Sequence, residues 1–178
     1  MLRDYFTAMT EILREHGGTL HKYMGDGIMA FFGDAEQEGG GEQAEEMRVE
    51  RQAANAVRAA LKMQKKMADL NMGWQRQRQE PHQIRIGINT GMVTVGNLGT
   101  DYLWDYTVIG QEVNKAQRLE CAADPGGLLH SQRTYALAHR QGVLPCGLPS
   151  KAVALKGIGD EENLYAVSPE MIARLTIE

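Results

Sequence analysis

The stretch HKYMGDGIMAFFG, residues 21–33, decides the fold. Two apolar runs flank Gly25-Asp26-Gly27, and a glycine-containing turn between such runs predicts a β-hairpin. Lys22 lies in the first run and Asp26 at the turn. Taken alone, Asp26 reads as a turn residue that hydrogen-bonds its own backbone, and Lys22 as an exposed strand lysine. The hairpin leaves open whether the two residues do chemistry.

Upstream, Leu2, Tyr5, Phe6, Met9, Ile12 and Leu13 recur at helical spacing, and Gly17-Gly18 supplies a stop. Downstream, residues 34–50 are acidic and carry Gly39-Gly40-Gly41, which predicts a mobile acidic loop. Ala53, Val57, Ala60, Leu61, Met67 and Leu70 then form the buried stripe of a long helix. Residues 73–83 are polar, contain Pro81 and read as a connector. Strands are predicted at 84–88 and 92–95, joined through Asn89-Thr90-Gly91, and residues 101–109 read as a loop and short strand. A helix over 112–123 ends before Asp124-Pro125-Gly126-Gly127. A short strand at 128–130, a helix over 131–139 and strands at 152–155 and 164–167 complete the pattern. Mixed helices and strands make the class α+β, or α/β in the broad sense.

The chain has 178 residues, enough for one domain, 1–178, with its own core. A net charge of −4 argues against a nucleic-acid partner held by a broad basic surface. No apolar run approaches a membrane span, and no signal peptide is visible. Cys121 and Cys146 have no metal-like spacing and fit free thiols in a reducing, cytoplasmic compartment. The histidines show no paired spacing that would suggest zinc.

Three motifs go further. Lys22 to Ala30 reads KYMGDGIMA, Arg85 to Gly91 reads RIGINTG, and Tyr106 to Glu120 reads YTVIGQEVNKAQRLE, in that order, with Leu155-Lys156-Gly157 after them. Together they resemble the catalytic domain of class III adenylyl and guanylyl cyclases, over most of the chain. The resemblance implies a ferredoxin-like domain with a mixed, mostly antiparallel sheet and helices packed on it. It implies a homodimer with two active sites in the cleft between chains, and Mg²⁺ or Mn²⁺, two ions per site. It implies attack of the ATP ribose 3′-hydroxyl on the α-phosphorus, giving 3′,5′-cyclic AMP and pyrophosphate.

Roles follow residue by residue from that resemblance. Asp26 matches a metal-binding aspartate, and a hard oxygen donor suits Mg²⁺ or Mn²⁺. Lys22 matches a lysine that reads adenine, where ring N1 accepts a hydrogen bond; guanine N1 carries a hydrogen instead. Thr107 stands where many members have aspartate, and matches the Lys–Thr pairing of a subgroup that includes cyanobacterial and mammalian soluble adenylyl cyclases. Its hydroxyl can accept from the adenine 6-amino group. Asn114 and Arg118, four apart and therefore on one helix face, match the residues that orient the ribose and stabilise the pentavalent phosphate. Lys156 matches a lysine on the terminal phosphates. Met92 departs from the arginine some members carry there. Spacing by itself leaves each of these as an ordinary surface or strand residue.

The family's first strand, with its own metal-binding aspartate, has no counterpart here, so the resemblance implies an N-terminally truncated domain of weak or absent activity. The expected function is adenylate cyclase in cyclic-nucleotide signalling. A non-catalytic nucleotide-binding or dimerisation module is the alternative from another class, and a guanylate cyclase the alternative within it. An upstream regulatory or sensor domain is the expected companion, and the subgroup makes bicarbonate a possible activator.

Overall fold

The computed structural model describes residues 1–33, 41–100, 103–153 and 162–175. The chain opens with α1 (Leu2–Glu15), which buries Ala8, Met9 and Leu13 along one stripe. Its half-buried Phe6 and Thr10 meet the hairpin of β1 (Gly18–Met24) and β2 (Gly27–Phe32). The Phe6 and Tyr23 rings lie 4.4 Å apart between centroids, and the Thr10 and Tyr23 hydroxyls are 3.2 Å apart.

The next element is α2 (Glu42–Arg76), 35 residues long. It corrects two expectations. Residues 42–50 are helical rather than part of an acidic loop, while 34–40 lie outside the described residues. The acidic side chains suit the helix: Glu42 and Glu45 sit in the first turn, where the helix dipole favours negative charge. Arg140 then ties Glu46 and Glu50 to a second helix. At the other end α2 runs through Gly73 to Arg76, because Trp74 is buried with Ala8, Met9 and Met67. Packing there overrides the local polarity of the sequence.

Four strands form one sheet in the order β3-β6-β8-β7. They are β3 (Ile86–Ile88), β6 (Leu128–Ser131), β7 (Ser150–Val153) and β8 (Glu162–Val167). β3 runs parallel to β6, and the other pairs are antiparallel. β4 (Thr94–Thr100) and β5 (Leu103–Ile109) make a separate antiparallel hairpin, so β5 is a full strand rather than a loop ending in a short one.

Helices cover both faces of the four-stranded sheet. Neighbouring side chains on a strand point to opposite faces, and Leu128 and Leu129 show the result. Leu128 joins Val57, Leu61, Ala138, Leu144 and Val167 under α2 and α4 (Gln132–Arg140). Leu129 joins Leu119, Ala123 and Leu164 under α3 (Gln111–Ala122). Ser131 caps α4 and Ser168 caps α5 (Pro169–Arg174), a short helix that seats Ile172 in the first cluster. The architecture is α+β, as expected. Among the described residues no helix is long and apolar enough to cross a membrane.

Candidate active site

The hairpin tip is a two-residue turn closed by the pairing of Met24 with Gly27. Gly25 takes φ +64, a backbone shape that favours glycine, and this leaves Asp26 exposed at the tip. Ile28, just past the tip, packs against the same core cluster as Tyr5. The Tyr5 hydroxyl is raised above its ordinary pKa, first by burial and second by the charge of Asp26.

Lys22 is exposed on β1, opposite Met29. The pairing slips between Leu20 and Lys22, so His21 is the extra residue of a bulge. Bulges re-aim side chains, and here the His21 ring reaches β5, with Nε2 3.3 Å from Thr107 Oγ1. The strand that carries Lys22 therefore meets the strand that carries Thr107. Thr107 itself pairs with Gly96 across the β4-β5 hairpin and is half-buried.

Asn114 and Arg118 project from α3, Asn114 exposed and Arg118 half-buried, just before the fully buried Leu119. The position of α3 is set by the second motif. A Cβ on Gly87 would sit 2.2 Å from the Glu120 nitrogen and 2.4 Å from the Ala116 carbonyl oxygen, so the helix backbone lies directly on β3. Asn89 Nδ2 donates to the Glu112 carbonyl at 3.0 Å and to its carboxylate at 2.7 Å. A Cβ on Gly91 would meet the Glu112 side chain at 2.5 Å. Arg85 to Gly91 is thus a cradle for the helix that carries Asn114 and Arg118. Lys115 adds an ion pair with Glu162 at the start of β8. Arg85 and Glu120, 3.4 Å apart and both well exposed, add little.

Lys156 lies outside the described residues, as do all of 154–161. That segment leads into Glu162, which the Lys115 ion pair ties to α3. Among the described residues, no hydrogen bond or ion pair joins Asp26 to Lys22, Thr107, Asn114 or Arg118. Also among them, no three His, Cys, Asp or Glu side chains gather as a metal-holding group. The donor chemistry fits one hard-cation ligand, the exposed Asp26 carboxylate, with the remaining ligands supplied from elsewhere.

Sequence reasoning missed the supporting residues His21, Gly87, Asn89, Gly91 and Glu112. One signal was present. A glycine inside an alternating strand, as in Ile86-Gly87-Ile88, marks a close backbone approach.

Comparison with known proteins places this architecture. Residues 1–167 match the family model of the adenylate and guanylate cyclase catalytic domain, and the chain belongs to that family. It is similar to the solved adenylyl cyclase CyaB from P. aeruginosa, at 38% identity and a TM-score of 0.80, covering 94% of this chain and 80% of that one. A solved guanylyl cyclase is similar at 28% identity and a TM-score of 0.76, covering 93% of this chain and 77% of that one. An adenylate cyclase of Anabaena cylindrica is 32% identical over 93% of this chain. The chain spans 31% of the length of that protein and 16% of a similar adenylate cyclase from Rhizobium meliloti.

Proposed function

We propose that this domain converts ATP to 3′,5′-cyclic AMP and pyrophosphate at sites shared between two copies of the chain. The observation that supports ATP over GTP is the meeting of β1 and β5 at His21 and Thr107, which brings the neighbourhoods of Lys22 and Thr107 together. Lys22 donates to adenine N1, and the Thr107 hydroxyl accepts from the 6-amino group. With guanine the lysine would face a hydrogen on N1, leaving a polar group unpaired, which costs far more than losing a neutral contact.

Asn114 orients the ribose so that its 3′-oxygen points at the α-phosphorus. A bond forms from that oxygen to phosphorus, the bond to the pyrophosphate oxygen breaks, and the hydroxyl proton passes to solvent water. Arg118 spreads its guanidinium over the phosphoryl oxygens as negative charge gathers on them. Lys156 holds the terminal phosphates. Asp26 would hold a divalent cation, Mg²⁺ or Mn²⁺, which would lower the pKa of the attacking hydroxyl and neutralise phosphate charge.

Asp26 is the residue contributed by the opposite chain. That division follows from the family resemblance, in which the metal-binding aspartate and the base-reading residues of one site come from different chains. The test mixes an Asp26→Ala chain with an Arg118→Ala chain and measures cyclic AMP from ATP with Mn²⁺. Recovery of activity on mixing two inactive chains is expected; no recovery would count against shared sites. A Lys22→Glu chain is expected to lose about tenfold or more in affinity for a fluorescent ATP analogue relative to the GTP analogue. Unchanged selectivity would overturn the base-reading assignment.

A further inference from the structure

A second cluster of reactive groups lies away from these residues, at the C-terminal end of α4. His139 Nδ1 is 2.9 Å from the Leu144 carbonyl oxygen, which can only accept. Nδ1 must therefore carry the proton, and in the neutral ring Nε2 is left as an acceptor. Nε2 lies 3.2 Å from Cys146 Sγ, so the thiol donates to it. Nucleophile, base and a third group that orients the base stand in line, the arrangement that defines an activated nucleophile.

The cluster is fixed in place. Tyr135, one turn before His139, stacks on its ring at an interplanar angle of 12° and donates to the Pro145 carbonyl at 3.2 Å. Tyr135 also stacks on Tyr165 of β8, with centroids 4.1 Å apart. Leu144 is 2% exposed in the main core cluster. Two side chains of α4 thus hold successive carbonyls of the segment that ends in Cys146, while the thiol itself is exposed.

We propose that Cys146 is a thiol-modification site, activated by His139, that exchanges with small disulfides. Cys146 passes its proton to His139 Nε2 and attacks one sulfur of the disulfide. A protein–small-molecule disulfide forms, the original sulfur–sulfur bond breaks, and the departing thiolate takes the proton back from the imidazolium. Cys146 is oxidised and half of the small disulfide is reduced, so atoms and electrons balance.

The chain carries its own control. Cys121 is also exposed, but its thiol donates to the Glu120 carboxylate at 3.4 Å. That hydrogen bond pushes the Cys121 thiol above its ordinary pKa and disfavours the thiolate. Exposure alone predicts labelling of both cysteines, whereas the geometry favours Cys146.

The experiment treats the full chain with hydroxyethyl disulfide at neutral pH and follows each cysteine by peptide mass spectrometry. Cys146 is expected to react about tenfold or more faster than Cys121. His139→Leu is expected to bring the Cys146 rate down towards that of Cys121, and Cys146→Ser to leave only the slow site. Equal rates in the unaltered chain would overturn the proposal without any variant. So would an unchanged Cys146 rate in a His139→Leu chain that keeps its circular-dichroism spectrum.

Discussion

Asn89 on the loop after β3 donates one amide group to two oxygens of Glu112, its backbone carbonyl and its carboxylate. This contact joins two motifs that lie more than twenty residues apart in the chain and fixes the first turn of α3. Hydrogen bonds to charged groups contribute about 1.5–3 kcal/mol each. Asn89→Leu is therefore expected to cost about 2 kcal/mol in urea unfolding, with a larger relative loss of cyclase turnover because Asn114 and Arg118 shift with the helix. A stability change within experimental error would show that other contacts hold α3.

Gly87 carries a stricter demand. An added methyl would overlap backbone atoms of Glu120 and Ala116, and backbone has no rotamer with which to move aside. Gly87→Ala is expected to destabilise by about 1–3 kcal/mol or to displace α3 from the sheet. Gly96, with nothing within 4 Å of its would-be Cβ, is the matched control. Equal effects at the two positions, measured by denaturant midpoints, would refute the close-approach reading.

His130 is fully buried on β6, and neither ring nitrogen has a hydrogen-bond partner among the described residues. Burial lowers its pKa from 6.5 to about 4. The unfolded chain therefore takes up the proton first as pH falls. Stability from this group is full above about pH 6.5 and declines between 6.5 and about 4, by roughly 3 kcal/mol in total. Denaturant midpoints at pH 7 and pH 4.5 should show this slope, and His130→Leu should flatten it. An identical slope in the variant would assign the acid sensitivity to other groups.

Lys115 and Glu162 are 14% and 25% exposed, so their pairing is partly shielded from water. Glu162 follows directly on the segment that contains Lys156. Lys115→Met is expected to weaken binding of the nucleoside triphosphate several-fold while changing stability by about 1 kcal/mol or less. The reversed pair, Lys115→Glu with Glu162→Lys, should restore binding. Failure of the reversed pair to bind better than the single Lys115→Met change would sink the positioning role.

Much of the fold was legible in the sequence because periodicity records burial. The hairpin at residues 21–33, the helix carrying Asn114 and Arg118, and the Ser131-led α4 emerged near their expected bounds. Polar segments misled. Glu42 to Glu50 read as loop, yet the helix extends there because its carboxylates meet Arg140. Residues 73–76 read as connector, yet Trp74 anchors them in the core.

The candidate residues Lys22, Asp26, Thr107, Asn114 and Arg118 were read from motifs, since residue type and order are written directly in the chain. What surrounds them was not. That His21 would turn out of its strand towards Thr107, that Gly87 would admit a helix backbone, and that His139 would orient itself against Cys146 depend on distances between separate elements. A sequence specifies which groups exist and which face of a helix or strand they share. Which groups come within about 3.5 Å of one another is decided only when the faces pack, because hydrogen bonds and steric overlap are short-range.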